Sequence, residues 1–295
     1  MVGYNPKDWF SLIFHAYSAE VFRRLIPAML GIGVFTAAVC WIELEWMDAP
    51  VNLSNAVHSL LGFVLSLFLV FRTNTAYDRW WEGRKKWGDL VNTSRTCALR
   101  VHAYVADEAE RAAFRSAIPA FAEALRDRLR GGEEQPAWTM RDLGERLARL
   151  AQTGALHPEQ LRLLEECLRS FIDVQGSCER ILRTPIPYSY SMFMKKFIFM
   201  YVVTLPLGFV GTFAWWTVPV VMAVFYVLVS VELIAEEIEN PFGTDDNDLP
   251  LDDLCATIRR DAEALIGPNQ ALKAEEKGFS QGKAASPGIE PRSSV

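Results

Sequence analysis

Three long stretches without a charged side chain constrain the fold of this chain more than any other feature. They run from Leu25 to Ile42, from Val51 to Phe71 and from Phe197 to Val231, with lengths of 18, 21 and 35 residues. A helix needs about 20 residues to cross the hydrocarbon core of a bilayer. As one helix the third stretch would reach about 52 Å, which exceeds a core roughly 30 Å thick, so it should contain two helices. The sequence therefore predicts four membrane-spanning helices.

The third stretch has a natural turning point between residues 211 and 216. Gly211 begins this segment, and Trp215 and Trp216 are aromatic residues of the kind that favour the membrane interface. Pro219 can occupy the first turn of the returning helix. We therefore expect the third and fourth spans to fold back on each other here.

The distribution of Lys and Arg distinguishes a membrane protein from the alternative, a large soluble protein with buried helices. The alternative has Glu43 and Glu45 in its favour, because they follow the first stretch closely. Basic residues lie before span one, after span two and before span three, at Arg23, Arg24, Arg72, Arg79, Arg84, Lys85, Lys86, Lys195 and Lys196. The connections over residues 47–55 and 212–218 carry none. Because cytoplasmic segments of membrane proteins are enriched in basic residues, this asymmetry predicts both termini and the middle of the chain in the cytoplasm.

Composition and hydrophobic periodicity divide the chain into six segments and predict an all-α fold. Residues 73–196 are rich in Ala, Leu, Arg and Glu with a helical apolar period, and Arg79 to Ala106 can continue from span two as one long helix. The tail is polar and has no core pattern, so we expect disorder there. The predicted segments are 1–24, an N-terminal interfacial helix; 25–72, transmembrane helices one and two; 73–196, a cytoplasmic helical region; 197–235, transmembrane helices three and four; 236–266, a cytoplasmic C-terminal helical segment; and 267–295, the disordered tail.

The sequence shows no clear pattern of catalytic or metal-cluster residues. It contains no HExxH and no phosphate-binding loop, and its five cysteines and four histidines lack metal-ligand spacing. The net charge of −6 comes mostly from carboxylates after residue 230 and gives no sign of nucleic-acid binding. We therefore expect neither an enzyme nor a nucleic-acid-binding protein.

Span two carries a stripe of large apolar side chains. Phe63, Leu67 and Phe71 are four residues apart and share one face of a helix, whereas Gly62 and Ser66 are small enough to allow close helix contact on another face. Periodicity alone leaves two interpretations open, since such a stripe can serve helix packing or line a pore.

The segment that follows span two resembles a block of the bacterial bestrophins, a family of membrane channels. It reads FRTNTAYDRWWEGRKKWGDLVNTSR from Phe71 to Arg95. A second motif resembles the one found after the last span in eukaryotic bestrophins. It consists of Asn240, Pro241, Phe242 and Gly243 followed by Asp245, Asp246 and Asp248. The two motifs stand in the expected order, and the resemblance covers about Val2 to Ile266.

The resemblance implies a homopentamer in the bacterial inner membrane, with span two of each subunit lining a hydrophobic neck around one axial pore. It assigns Phe63, Leu67 and Phe71 to the neck and the soluble helices to a cytoplasmic vestibule. Rings of apolar side chains can empty of water and so act as a gate.

The family also implies a second constriction at the cytoplasmic exit of the pore. The segment before the sequence TPIP should supply it, and we favour Ile181 over Thr184 or Ile186.

The acidic motif raises the question of calcium. By resemblance to the calcium clasp of eukaryotic members, Asn240, Asp245 and Asp248 match ligand positions, whereas Glu237 stands where those proteins have an amide. Bacterial relatives are generally not calcium-gated, and the motif also suits a solvated acidic turn that caps the next helix. Calcium binding is therefore a weak hypothesis.

Family resemblance suggests passive conduction of chloride and other monovalent anions, and the residues leave the sign of the ion open. Arg72 and Arg84 near the neck exit favour anions, whereas the acidic cytoplasmic face favours cations such as sodium. A secondary transporter is disfavoured because the centres of the spans carry no Lys, Arg or Asp. A non-conducting membrane scaffold remains a further alternative.

Overall fold

The computed structural model describes residues 17–47, 55–245 and 247–267, and over these ranges the chain is all-helical, as predicted. The helices are α1 (Tyr17–Glu45), α2 (Asn55–Tyr104), α3 (Glu108–Leu129), α4 (Pro136–Gln152), α5 (Pro158–Arg183), α6 (Tyr188–Phe213), α7 (Thr217–Glu239) and α8 (Leu251–Ile266), with a short 3₁₀ helix (Ala214–Trp216) between α6 and α7. Residues 1–16 of the predicted interfacial helix and 268–295 of the predicted disordered tail lie outside the described residues.

The chain divides into two compact units, and α2 contributes to both. Unit 1 comprises residues 1–85 and 178–250, and unit 2 comprises residues 86–177 and 251–295. Helix α2 is 50 residues long and runs without a break from the predicted span two into the region predicted to be cytoplasmic. This confirms that span two continues as one long helix.

Three helical stretches of the described chain are long and apolar enough to cross a membrane. They are Leu25–Glu45, Ala56–Tyr104 and Tyr188–Glu239. The third stretch contains both α6 and α7, which are joined through the 3₁₀ helix. Ala214 opens this turn with a φ of 47°, in the left-handed region. The chain therefore reverses within the predicted segment 211–216, and the third stretch holds two helices.

The helices of unit 1 pack through a cluster of buried apolar side chains. The cluster is formed by Leu65 and Leu69 of α2, by Met194, Ile198, Val202 and Leu205 of α6, and by Val221 and Phe225 of α7. Helix α1 adds Met29 and Ile32 at its margin. The buried positions of α2 are four residues apart, so only one side of this helix faces the core of its own chain.

Most of the apolar surface of unit 1 is left uncovered by its own chain. In the most apolar part of each membrane-length stretch, only 22%, 22% and 17% of the residues are buried within the protein. A soluble protein rarely exposes continuous apolar surface of this extent to water. In a membrane, lipid covers such a surface and keeps water away from it. Burial thus argues against the soluble alternative.

Unit 2 is an amphipathic helical bundle. Phe121 of α3 lies edge-to-face against Phe171 of α5, with ring centroids 5.1 Å apart, and both rings are fully buried. Helix α8 packs on α3, and Asp252 of α8 forms ion pairs of 2.9 Å with Arg126 and Arg130. The bundle therefore has an apolar interior and a charged exterior, which suits an aqueous environment.

Candidate pore helix and its polar network

The predicted neck residues lie on the exposed side of α2. The exposed fractions of Phe63, Leu67 and Phe71 are 68%, 46% and 54%, whereas Leu65 and Leu69 on the other side are buried. Because an α-helix turns by about 100° per residue, the stripe points away from the core of its own chain. It is available to contact a pore, lipid or another subunit.

The small residue Gly62 allows α6 to approach α2 closely, on the side predicted for helix contact. A Cβ atom at this position would lie 2.6 Å from the hydroxyl oxygen of Tyr201. On the same side, the Nε2 atom of His58 is 3.1 Å from the carbonyl oxygen of Thr204. The side of α2 opposite the stripe is therefore fixed against α6.

A buried arginine follows the stripe directly. The side chain of Arg72 is 1% exposed, and its Nη2 atom forms an ion pair of 2.8 Å with the Oε2 atom of Glu239. Its Nε atom lies 3.6 Å from the Oε1 atom of Glu232, whose side chain is 3% exposed. Its charge is buried and compensated by carboxylates of α7, which weakens its field at the neck exit, and the expectation that Arg72 favours anions there stays a prediction.

Two turns further along α2, Arg79 binds backbone carbonyl groups at the ends of two other helices. Its Nε atom donates to the carbonyl oxygen of Glu239 over 3.1 Å, and its Nη2 atom donates to that of Ile181 over 2.6 Å. Its Nη1 atom donates to the carbonyl oxygen of Thr184. The last carbonyl groups of a helix lack partners inside the helix, and the negative end of its dipole favours a cation there. Arg79 thus caps the ends of α5 and α7 from a third helix.

In the segment predicted to form the aperture, the side chain favoured for that role is buried. The side chain of Ile181 is 2% exposed and that of Ile186 is 9% exposed, so both pack inside the chain. Thr184, an alternative left open by the sequence, is exposed. The assignment of Ile181 to the aperture stays a prediction, and it requires this side chain to turn outward.

The two motifs that carried the family resemblance contact each other in unit 1. Trp80 donates a hydrogen bond of 2.9 Å from Nε1 to the carbonyl oxygen of Asn247. A Cβ atom on Gly83 would come within 3.1 Å of Pro241 and of the ring of Phe242, so this glycine lets the second motif pack tightly on α2. Spacing along the sequence could not reveal this contact, since the residues involved are about 160 positions apart.

The acidic loop after α7 is built as a turn around Asp248. This side chain is 2% exposed, and its Oδ2 atom accepts a hydrogen bond of 2.7 Å from the backbone N–H of Asp245. Burial raises the pKa of the Asp248 carboxyl to about 6. Asn240 and Asp245 have exposed side chains.

The described residues of this loop show no preformed cluster of metal-ligating side chains. No group of three or more His, Cys, Asp or Glu side chains there is arranged to hold a metal ion. Calcium takes six to eight oxygen ligands, whereas one oxygen of Asp248 is used by the backbone and Glu237 accepts a hydrogen bond from Asn247 over 2.9 Å. Calcium binding by Asn240, Asp245 and Asp248 stays a prediction.

The fold and the arrangement around α2 define an all-helical membrane protein. A sequence model of the family described as Bacterial/Fungal Bestrophin protein matches residues 1–140 and 131–264. The voltage-dependent anion channel-forming protein alr2987 of Nostoc sp. is 34% identical, over 92% of this chain and 96% of its own length. The voltage-dependent anion channel-forming protein sll1024 of Synechocystis sp. is 37% identical, over 89% of this chain and 93% of its own.

A solved structure agrees with these relatives. The crystal structure of a bacterial bestrophin homolog from Klebsiella pneumoniae matches with a TM-score of 0.76 and 26% identity, over 82% of this chain and 98% of that chain. The chain belongs to the bestrophin family. Its membership of a channel family also confirms that it is not an enzyme.

Proposed function

We propose that this chain forms a homopentameric channel that passes monovalent anions passively through an axial pore. The observation that carries the proposal is the apolar stripe of Phe63, Leu67 and Phe71, which the chain exposes although it buries the opposite side of the same helix. Relatives over nearly the whole length of the chain are named anion channel-forming proteins, which supports the class of activity and the sign of the ion.

The stripe suits the role of a hydrophobic gate. Five copies of each side chain would form rings that offer an ion no ligand in exchange for its hydration shell. Such a constriction blocks ions while it is dry and conducts when it widens and fills with water. The neck therefore controls the passage of ions without selecting their sign.

The sign of the ion must then come from charges outside the neck. Arg72 contributes little to this role, because its guanidinium is compensated by Glu232 and Glu239. Arg84, a half-buried cation on α2, favours anions. The acidic residues of the cytoplasmic face favour cations. A cation-selective channel of the same architecture is the competing outcome.

The proposed location is the bacterial inner membrane with both termini in the cytoplasm. The basic residues that flank the predicted spans support this orientation. One of them, Lys195, forms an ion pair of 3.0 Å with Glu236, so the start of α6 and the end of α7 lie together, as an even number of crossings requires.

The proposal is tested by purifying the protein, determining its subunit number by native mass spectrometry and recording currents in planar bilayers under a chloride gradient. A pentamer whose reversal potential lies near the chloride equilibrium potential is the expected result. A reversal potential near that of the cation would establish the competing selectivity. A monomer or dimer without current would replace the channel with a membrane scaffold.

A further inference from the structure

The last turn of α5 and its connection to α6 are held at three backbone points by side chains of other helices. The guanidinium of Arg79 on α2 binds the carbonyl oxygens of Ile181 and Thr184. The Oε1 atom of Glu239 on α7 accepts a hydrogen bond of 2.8 Å from the backbone N–H of Ile186. Residues 181–186 are therefore fixed from outside, where a connection between helices could otherwise move.

The two anchoring side chains are themselves connected. Arg79 also donates from Nε to the backbone carbonyl oxygen of Glu239, and the Oε2 atom of Glu239 pairs with Arg72. Both arginines lie on the side of α2 opposite the apolar stripe, seven residues apart. The network thus joins the helix of the predicted neck to the segment that precedes the TPIP turn.

Arginine is the side chain that this geometry requires. Its planar guanidinium presents donors in a fixed fork, so three carbonyl groups on two chain segments can be bound at once. A lysine ammonium is a compact charge on a flexible stem and cannot reproduce that fork. Hydrogen bonds from a charged donor are worth about 1.5–3 kcal/mol each, so their loss releases the segment.

We propose that Arg79 is a positioning residue for ion passage: it fixes the backbone of residues 181–186, the segment predicted to form the cytoplasmic exit. It thereby also places the exposed side chain of Thr184, the alternative aperture residue. The inference rests on the proposed channel function and assigns to Arg79 an effect on ion selectivity without contact with the ion. The neck and the exit are then linked through one helix, with the stripe on one side and Arg79 on the other.

The positioning step is tested by hydrogen–deuterium exchange on the purified full-length protein. In Arg79→Gln, the amides of peptides covering residues 181–190 exchange about tenfold faster or more, as the loss of one or two charged hydrogen bonds implies. Peptides covering the stripe at residues 60–71 keep their rates. The matched control is Lys85→Gln, which removes an exposed charge from the same helix and leaves both sets of rates unchanged. Unchanged exchange at residues 181–190 in Arg79→Gln would overturn the inference.

The effect of Arg79 on ion selectivity is tested by the reversal potential in planar bilayers under a salt gradient. Arg79→Gln shifts the reversal potential, Arg79→Lys shifts it less, and Lys85→Gln retains the wild-type value. Because Arg79→Lys keeps the charge, it also serves if the glutamine variant fails to fold. Faster exchange with the same reversal potential as the control would show a purely structural role and overturn the inference. A wild-type protein without current would instead remove the proposed channel function, while the exchange rates still decide whether Arg79 holds the segment.

Discussion

The two sides of α2 differ in how far the rest of the chain covers them. One side leaves Phe63, Leu67 and Phe71 about half-exposed or more, and the other buries Leu65 and Leu69 and continues into the ion pairs of Arg72. The buried side holds the helix in place through contacts within the single chain. This separation leaves the exposed side available for the proposed pentamer, because its apolar surface packs little against its own chain.

On the buried side of α2, we expect the largest loss of stability from a substitution of Arg72. Arg72→Ala leaves Glu232 buried without its cation, which should lower the free energy of unfolding by about 3–5 kcal/mol. Thermal unfolding in detergent measures the loss. The matched control is Arg95→Ala, which removes an ion pair of 2.7 Å with Asp261 that is half-exposed and worth at most about 1 kcal/mol. Equal losses in the two variants would contradict the distinction between the two environments.

The loop that packs on α2 through Trp80 and Gly83 should respond to pH at Asp248. Burial raises the pKa of this carboxyl from 3.8 to about 6, so the folded state binds its proton more tightly than the unfolded state. This contribution to stability therefore falls as the pH rises from about 4 to 6, by at most about 3 kcal/mol.

The variant Asp248→Asn removes that dependence and can still accept the hydrogen bond from Asp245. We expect its melting temperature in the presence of a chelator to change less than that of the wild type between pH 4.5 and pH 7. A wild type that gains stability relative to the variant over this interval would show that the carboxyl is stabilised as an anion, contrary to its burial.

Gly62 tests how closely α2 packs against α6. Because an added Cβ would lie 2.6 Å from the hydroxyl of Tyr201, Gly62→Ala should destabilise the protein by about 1–3 kcal/mol. The second change Tyr201→Phe removes the hydroxyl and should restore part of the loss. In Gly31→Ala, the added methyl group meets no atom within 4 Å, and stability should stay equal or rise. Chemical denaturation of the four proteins checks the order.

The smallest effect is expected at the turn between α6 and α7. Ala214 has a φ of 47°, where glycine is free of steric cost, so Ala214→Gly should stabilise the protein by about 1 kcal/mol or less. Ala112→Gly, on the exposed side of α3, should instead lose about 1 kcal/mol. A loss of stability at both positions would show that the turn is not strained by its side chain.

The sequence predicted the elements of this fold better than their connections. Uncharged stretches reveal spans because a bilayer core has a set thickness, and the fold-back before Thr217 followed from length and tryptophan positions. The stripe of Phe63, Leu67 and Phe71 was readable because neighbours on a helix face are close in sequence. All of these features depend on residues that are close together in the sequence.

The polar network could not be derived in the same way. Arg72 and Glu232 are 160 positions apart, and nothing in their local sequence states that they pair. A partial signal existed, since each is the first charged residue after an uncharged stretch and must find a partner near the same membrane surface. The burial of Ile181 likewise depends on how the end of α5 meets other helices.

Whether the exposed stripe of α2 lines the ion pathway can be decided by the single-channel conductance of Phe71→Ala in planar bilayers. The matched control is Phe199→Ala, which removes the same side chain from an exposed position on α6. If the stripe lines the pathway, Phe71→Ala has a larger conductance or longer openings, and Phe199→Ala keeps wild-type currents. Wild-type currents in Phe71→Ala, from a protein that still assembles, would contradict it and place the barrier to ions elsewhere.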